Sequence, residues 1–182
     1  MGVEHLQYAP EWQGANTNYC WAAGLSWWLK AVRKYNYDFE TIKDIYLEYI
    51  KYEDDGGFGS LTDKGMYKLL SDSRWHLSYE ELSSDQLNVN RIQELLIRSP
   101  VIIGYTDGNL GTDENGKKLT GFHMNVIVAG AGVGSLLSGY VVMDPNCKSF
   151  QVRNLQYYKN YYCGKIFIAY STKLGGKPIY GY

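Results

Sequence analysis

The sequence predicts one α+β domain in which helices come first and an antiparallel sheet second. Apolar residues recur at helical spacing through the first hundred positions, and Pro100 ends that pattern. Beyond it the chain runs in short β-branched or aromatic stretches bounded by Gly, Asn, Asp or Pro. No strand–helix–strand alternation, the mark of a parallel sheet, breaks this order. The expected division is residues 1–99 mainly helical and 100–182 mainly β, within a single domain spanning 1–182. With 45% apolar and 20% charged residues, a chain of 182 can bury a core of its own.

The first helix is expected to open at Cys20. There the polar, turn-prone stretch GANTNY gives way to Cys-Trp-Ala-Ala and an apolar run reaching Tyr35. Asn36 and Asp38 break that run, and Asp38 is the expected N-cap of a second helix over 39–52, with Phe39, Ile42, Tyr46, Tyr49 and Ile50 on one face. After the glycine punctuation of EDDGGFG, Ser60 and Asp63 resemble a capping box that opens a shorter helix through Met66, Leu69 and Leu70. A fourth helix, NRIQELLIRS, runs up to Pro100. The expected strands are VIIGYT, FHMNVIVAG, GYVVMDP, FQVRNL and KIFIAYS. The long polar segment DGNLGTDENGKKLTG between the first two reads as a mobile or functional loop, and the tail GGKPIYGY as frayed or extended.

Composition excludes several functions. Eighteen basic against nineteen acidic residues leave a net charge of -1, and no window gathers Lys and Arg as a phosphate-tracking surface needs, so nucleic acid is not an expected partner. No apolar run reaches the ~18 residues of a membrane span. The opening MGVEHLQYAP lacks the basic start and apolar core of a signal peptide, although a chain trimmed to its mature form begins in the same way. Three cysteines leave at least one thiol unpaired within the chain; Cys147 and Cys163 are free to pair with each other, and the spacings match no zinc pattern. Most of the 18 tyrosines, many in clusters such as Tyr157-Tyr158 and Tyr161-Tyr162, are expected at core edges or a rim, with a peptide or glycan groove as the alternative for some.

Placement singles out Cys20. At a helix start, unsatisfied N–H groups and the positive end of the macrodipole favour a thiolate, most of all beside an imidazolium. Three histidines can supply one. His5 sits in a loose N-terminus, His76 lies in the mixed region SRWHLSYEEL, and His123 opens a strand directly after the long loop. His123 is therefore the candidate base. Its other nitrogen needs an orienting carboxylate or amide, and Asp144 and Asn146 stand just after the next strand. If the strands flanking AGAGVGSLLSG pair antiparallel, Asp144 returns toward His123. Gln13, upstream of Cys20, can donate with the Cys20 N–H to a developing oxyanion. Singly, each has a bland reading: an exposed strand-end histidine, an Asp-Pro-Asn turn, a polar loop glutamine. The ordered set carries the signal.

These residues resemble the papain-like cysteine peptidases, and the stretch QGANTNYCWAA is especially similar to compact bacterial and effector-type members. GFHMNVIVAG and YVVMDPN carry the rest of the resemblance. It implies a papain-like fold, with the nucleophile at a helix start packed on the sheet half. It further implies Cys20 as nucleophile, His123 as base and then acid, Asp144 as orienter, Gln13 as oxyanion donor and Trp21 packed behind the nucleophile. DPN stands where eukaryotic members carry Asn followed by Trp, so Asp144 and Asn146 both stay eligible, with Asp144 favoured. The expectation is a monomer acting on a protein or peptide without metal or cofactor, secreted or delivered outside the producing cell. Two alternatives stand: a cell-wall amidase, deamidase or other acyl transferase on the same Cys-His machinery, and a non-catalytic binding module of the same fold.

Overall fold

In a computed structural model that describes residues 3–14, 17–52, 58–107, 121–133, 136–160 and 166–172, helix α1 (Cys20–Trp28) is buried along its whole length. Its sequence CWAAGLSWW has no polar face, and a helix apolar all round belongs inside. The few polar groups it buries are matched: Trp28 Nε1 donates to the Pro100 carbonyl at 2.8 Å and Ser26 Oγ to that of Tyr37 at 2.8 Å. The helix ends earlier than expected. One π turn follows at Leu29–Arg33, closed by Lys34 in the left-handed conformation.

Helix α2 (Phe39–Ile45) starts where expected, with Asp38 accepting from the Thr41 N–H at 2.7 Å. It does not run on to residue 52. Leu47–Tyr49 form a 3-10 turn and Ile50–Tyr52 form strand β1, paired antiparallel with β2 (Phe58–Leu61). Tyr46 and Ile50 enter the core either way, so their spacing did not separate a helix from a turn and strand. Helix α3 (Asp63–Leu70) is capped by Thr62, which accepts from the Gly65 N–H at 3.1 Å; Ser60, the expected cap, lies inside β2. Strand β3 (Leu77–Leu82) occupies a stretch with no expected element, and α4 (Val89–Leu96) is capped by Asn88.

The C-terminal half supplies β4 (Val101–Asp107), β5 (Gly121–Val133), β6 (Leu136–Met143), β7 (Gln151–Arg153), the short helix α5 (Leu155–Asn160) and β8 (Ile166–Ser171). With β3 they form an antiparallel sheet in the order β3-β8-β4-β5-β6-β7. The architecture is the expected α+β: N-terminal helices packed on a C-terminal six-strand sheet. The sheet is covered on both faces, which explains strands that read as nearly continuous apolar runs. Ile102, Met124, Val126 and Met143 meet the α1 side, and Val101, Ile103, Ile127 and Val142 share the other core with residues of α4 and α5. Among the described tyrosines, Tyr46, Tyr105, Tyr140 and Tyr158 are fully buried. Among the described residues no helix is long and apolar enough to cross a membrane. Cys147 is a free thiol. Cys163, the Tyr161-Tyr162 pair, the tail and most of the loop before β5 lie outside the described residues.

Candidate active site

The start of α1 carries no cap. Tyr19 has φ -90° and ψ 23° with no side-chain hydrogen bond to the helix, and its carbonyl accepts from both the Ala22 and Ala23 N–H at 3.0 Å. The Cys20 N–H has no acceptor among the described residues. Tyr19 is held by close packing. Gly59 sits at φ +110°, and a Cβ there would stand 2.2 Å from the Tyr19 ring, so glycine is required on both counts. Trp21, expected behind the nucleophile, is buried and donates through Nε1 to the Gly59 carbonyl at 2.7 Å. Cys20 is thus fixed between two anchored aromatics, itself only 3% exposed.

Sheet register delivers the histidine and the aspartate. β4 and β5 pair so that Tyr105 faces His123, the two rings meeting edge-on at 5.8 Å. β5 and β6 pair antiparallel with Val126 opposite Met143, so the residue after β6 returns to the start of β5. There His123 Nε2 and Asp144 Oδ1 are 2.8 Å apart. An ionised carboxylate only accepts, so Nε2 carries the hydrogen and Nδ1 is left to exchange a proton with Cys20. Cys20 lies close enough to His123 to favour the charged imidazole. The Cys20 thiol also reaches the Phe122 carbonyl at 3.8 Å.

Asn146 Nδ2 stands 3.5 Å from His123 Nε2, so of the two eligible orienters Asp144 holds the nearer place. Asn146 has a different task. Its N–H donates to Asp144 Oδ1 at 3.0 Å, and its Oδ1 accepts from Gln13 Nε2 at 2.6 Å. Gln13 is tied down further, since its N–H donates to the Pro145 carbonyl at 3.0 Å and its Nε2 also donates to the Thr17 carbonyl. All four residues singled out in the sequence, Cys20, His123, Asp144 and Gln13, are therefore brought together. His5 and His76 are not part of the cluster. His5 lies half-buried in a 3-10 turn (Val3–Gln7) beside Glu4, and is less loose than expected. His76 takes a left-handed φ of 52° and uses its carbonyl to accept from Arg33 and Thr172.

Two partners of Asp144 were not anticipated. Arg153 Nη2 donates to Oδ2 at 2.6 Å. Asn125, fully buried, satisfies its amide when Oδ1 accepts from the Tyr105 hydroxyl and Nδ2 donates to the Met124 carbonyl at 3.1 Å and to Asp144 Oδ1 at 3.3 Å. Neither residue has a local sequence signal, because each meets Asp144 through strand pairing.

The electrostatics follow from these contacts. Burial works against a charged His123, but Cys20 and Asp144 outweigh it and raise the imidazole to about 10. Burial would raise Asp144, yet His123, the Asn146 N–H and Arg153 hold its carboxyl down at about 2. The arrangement can keep an imidazolium between a sulfur and a carboxylate, beside a helix N–H that has no acceptor among the described residues. Among the described residues, no group of three or more His, Cys, Asp or Glu is placed to hold a metal ion. No protein-family model matches this chain, and no curated protein matches it.

Proposed function

We propose that this chain is a cysteine peptidase of papain-like type. The observation that carries the reading is the buried His123–Asp144 hydrogen bond at 2.8 Å beside a Cys20 that favours the charged imidazole and opens a buried helix whose Tyr19 N-cap makes no side-chain bond. The Cys20 proton passes to His123 Nδ1, and the thiolate attacks the carbonyl carbon of a peptide bond. The Cys20 N–H and Gln13 Nε2 take the oxyanion. Both hydrogens of Gln13 Nε2 are engaged in the resting site, so it exchanges its Asn146 contact for the substrate oxygen. His123 then gives its proton to the leaving amine, which departs as the thioester forms. Water, deprotonated by His123, attacks the thioester, and Cys20 leaves with the acid product released.

The test is hydrolysis of a denatured protein and of purified peptidoglycan by the native chain and by Cys20→Ser. The expected result is cleavage of the protein, no release from peptidoglycan, and loss of cleavage in the variant. Cleavage of peptidoglycan alone moves the same machinery to a cell-wall amidase. Activity that survives Cys20→Ser refutes the reading.

A further inference from the structure

Asp144 is held on both oxygens. Oδ1 takes the Nε2 hydrogen of His123 and the N–H of Asn146, whereas Oδ2 is held by Arg153 at 2.6 Å. Arg153 ends β7 opposite Tyr140 of β6. Strand alternation turns Val152 outward, 67% exposed, and Arg153 inward. Its guanidinium lies over the Tyr157 ring of α5 at 4.1 Å. Stacked on one face and hydrogen-bonded at its edge, the group is a fixed charge and not a wandering surface cation.

We propose that Arg153 is a positioning residue of the triad: it clamps Asp144 with Oδ1 aimed at His123 Nε2, and its charge limits how tightly Asp144 holds the imidazolium. An unclamped carboxylate can rotate and present either oxygen. The clamp removes that freedom. The charge has a separate effect, because the imidazolium feels Asp144 partly offset by the guanidinium behind it. Without Arg153 the carboxylate holds the proton on His123 more strongly. The titratable groups facing the His123–Asp144 pair are Cys20 from α1, Tyr105 from β4, Cys147 from the turn after β6, Arg153 from β7 and Tyr158 from α5. Arg153 is the cation among these described groups. As a statement about the triad's task, the proposal rests on the peptidase reading.

The experiment is an NMR titration of His123 in the full chain carrying Cys20→Ala, with and without Arg153→Met. The expected result is a midpoint raised by about one pH unit in the methionine variant, and a midpoint near the parent's in Arg153→Lys, which keeps the charge. An unmoved midpoint in folded Arg153→Met overturns the proposal and leaves Arg153 a stacking partner of Tyr157. A lysine variant displaced as far as the methionine one also overturns it. If Arg153→Met does not fold, Arg153→Gln, neutral but able to donate to Oδ2, is read by the same criterion. The titration uses no substrate, so the two readings fail separately. Failure of the peptidase reading leaves the shift intact without hydrolysis, and failure of this one leaves the midpoint unmoved whatever is hydrolysed.

Discussion

Helices α2, α3 and α4 each begin on a side chain that accepts from the backbone three residues on: Asp38 from Thr41, Thr62 from Gly65, and Asn88 from Arg91. Helix α1 begins on Tyr19, which makes no such bond, although α1 is the most buried of the four. The three capped starts follow the general rule that orphan N–H groups are satisfied locally. The fourth breaks it at Cys20, with His123 and Asp144 on the facing sheet. Local rules fail most often where a site needs the unsatisfied group. On the peptidase reading proposed above, the start of α1, without a cap among the described residues, is the place for the oxyanion of an acyl transfer.

The largest expected effect that sharpens this contrast comes from the sheet side of the site. His123→Ala should lower peptide turnover by 10²- to 10⁴-fold, the usual worth of a positioned acid–base group, measured in chain that remains folded. Turnover that survives the substitution in folded chain would contradict an acid–base role for His123. Gln13→Ala should cost on the order of 10²- to 10³-fold in kcat with little change in KM, because an oxyanion donor acts in the transition state. A KM effect alone would make Gln13 a ground-state contact.

A pH profile tests the charge on the pair. His123 is raised, so its proton persists below about 10 and is lost above it. Turnover should therefore hold on the alkaline side until about pH 10 and then fall about tenfold per unit, as the imidazolium can no longer protonate the leaving amine. A limb near the ordinary histidine value would mean that Cys20 and Asp144 do not support the charge. The smallest effect belongs to the capped starts. Thr62→Ala should cost about 1 kcal/mol of stability and leave turnover unchanged; a loss of turnover there would erase the distinction between the two kinds of helix start.

Much of the site was legible because its signals are local or follow from strand pairing. Cys20 stands at a visible polar-to-apolar junction, and the antiparallel return of β6 beside β5 brings Asp144 to His123 by register alone. The second helix ends sooner than its spacing predicts, since Tyr46, Tyr49 and Ile50 suit a helical face as well as a turn leading into β1. The α3 cap was misplaced by two residues because Ser60 and Thr62 are chemically alike. β3 carries little sequence signal because its half-exposed, acidic LSYEEL lacks an apolar face of its own. α5 is short and starts at an Asn154 turn. Arg153 and Asn125 were invisible for a different reason: each meets Asp144 across strands, and a lone Arg or Asn in a strand names no partner.

The most direct measurement is mass spectrometry after brief exposure to a limiting thiol-directed peptidase inhibitor at pH 6, with native chain and His123→Ala side by side. Selective modification of Cys20 over Cys147 and Cys163, suppressed by the histidine substitution, is the expected result. Equal modification of the three thiols, or labelling of Cys20 that ignores His123, would contradict an activated Cys20–His123 pair at the open start of α1.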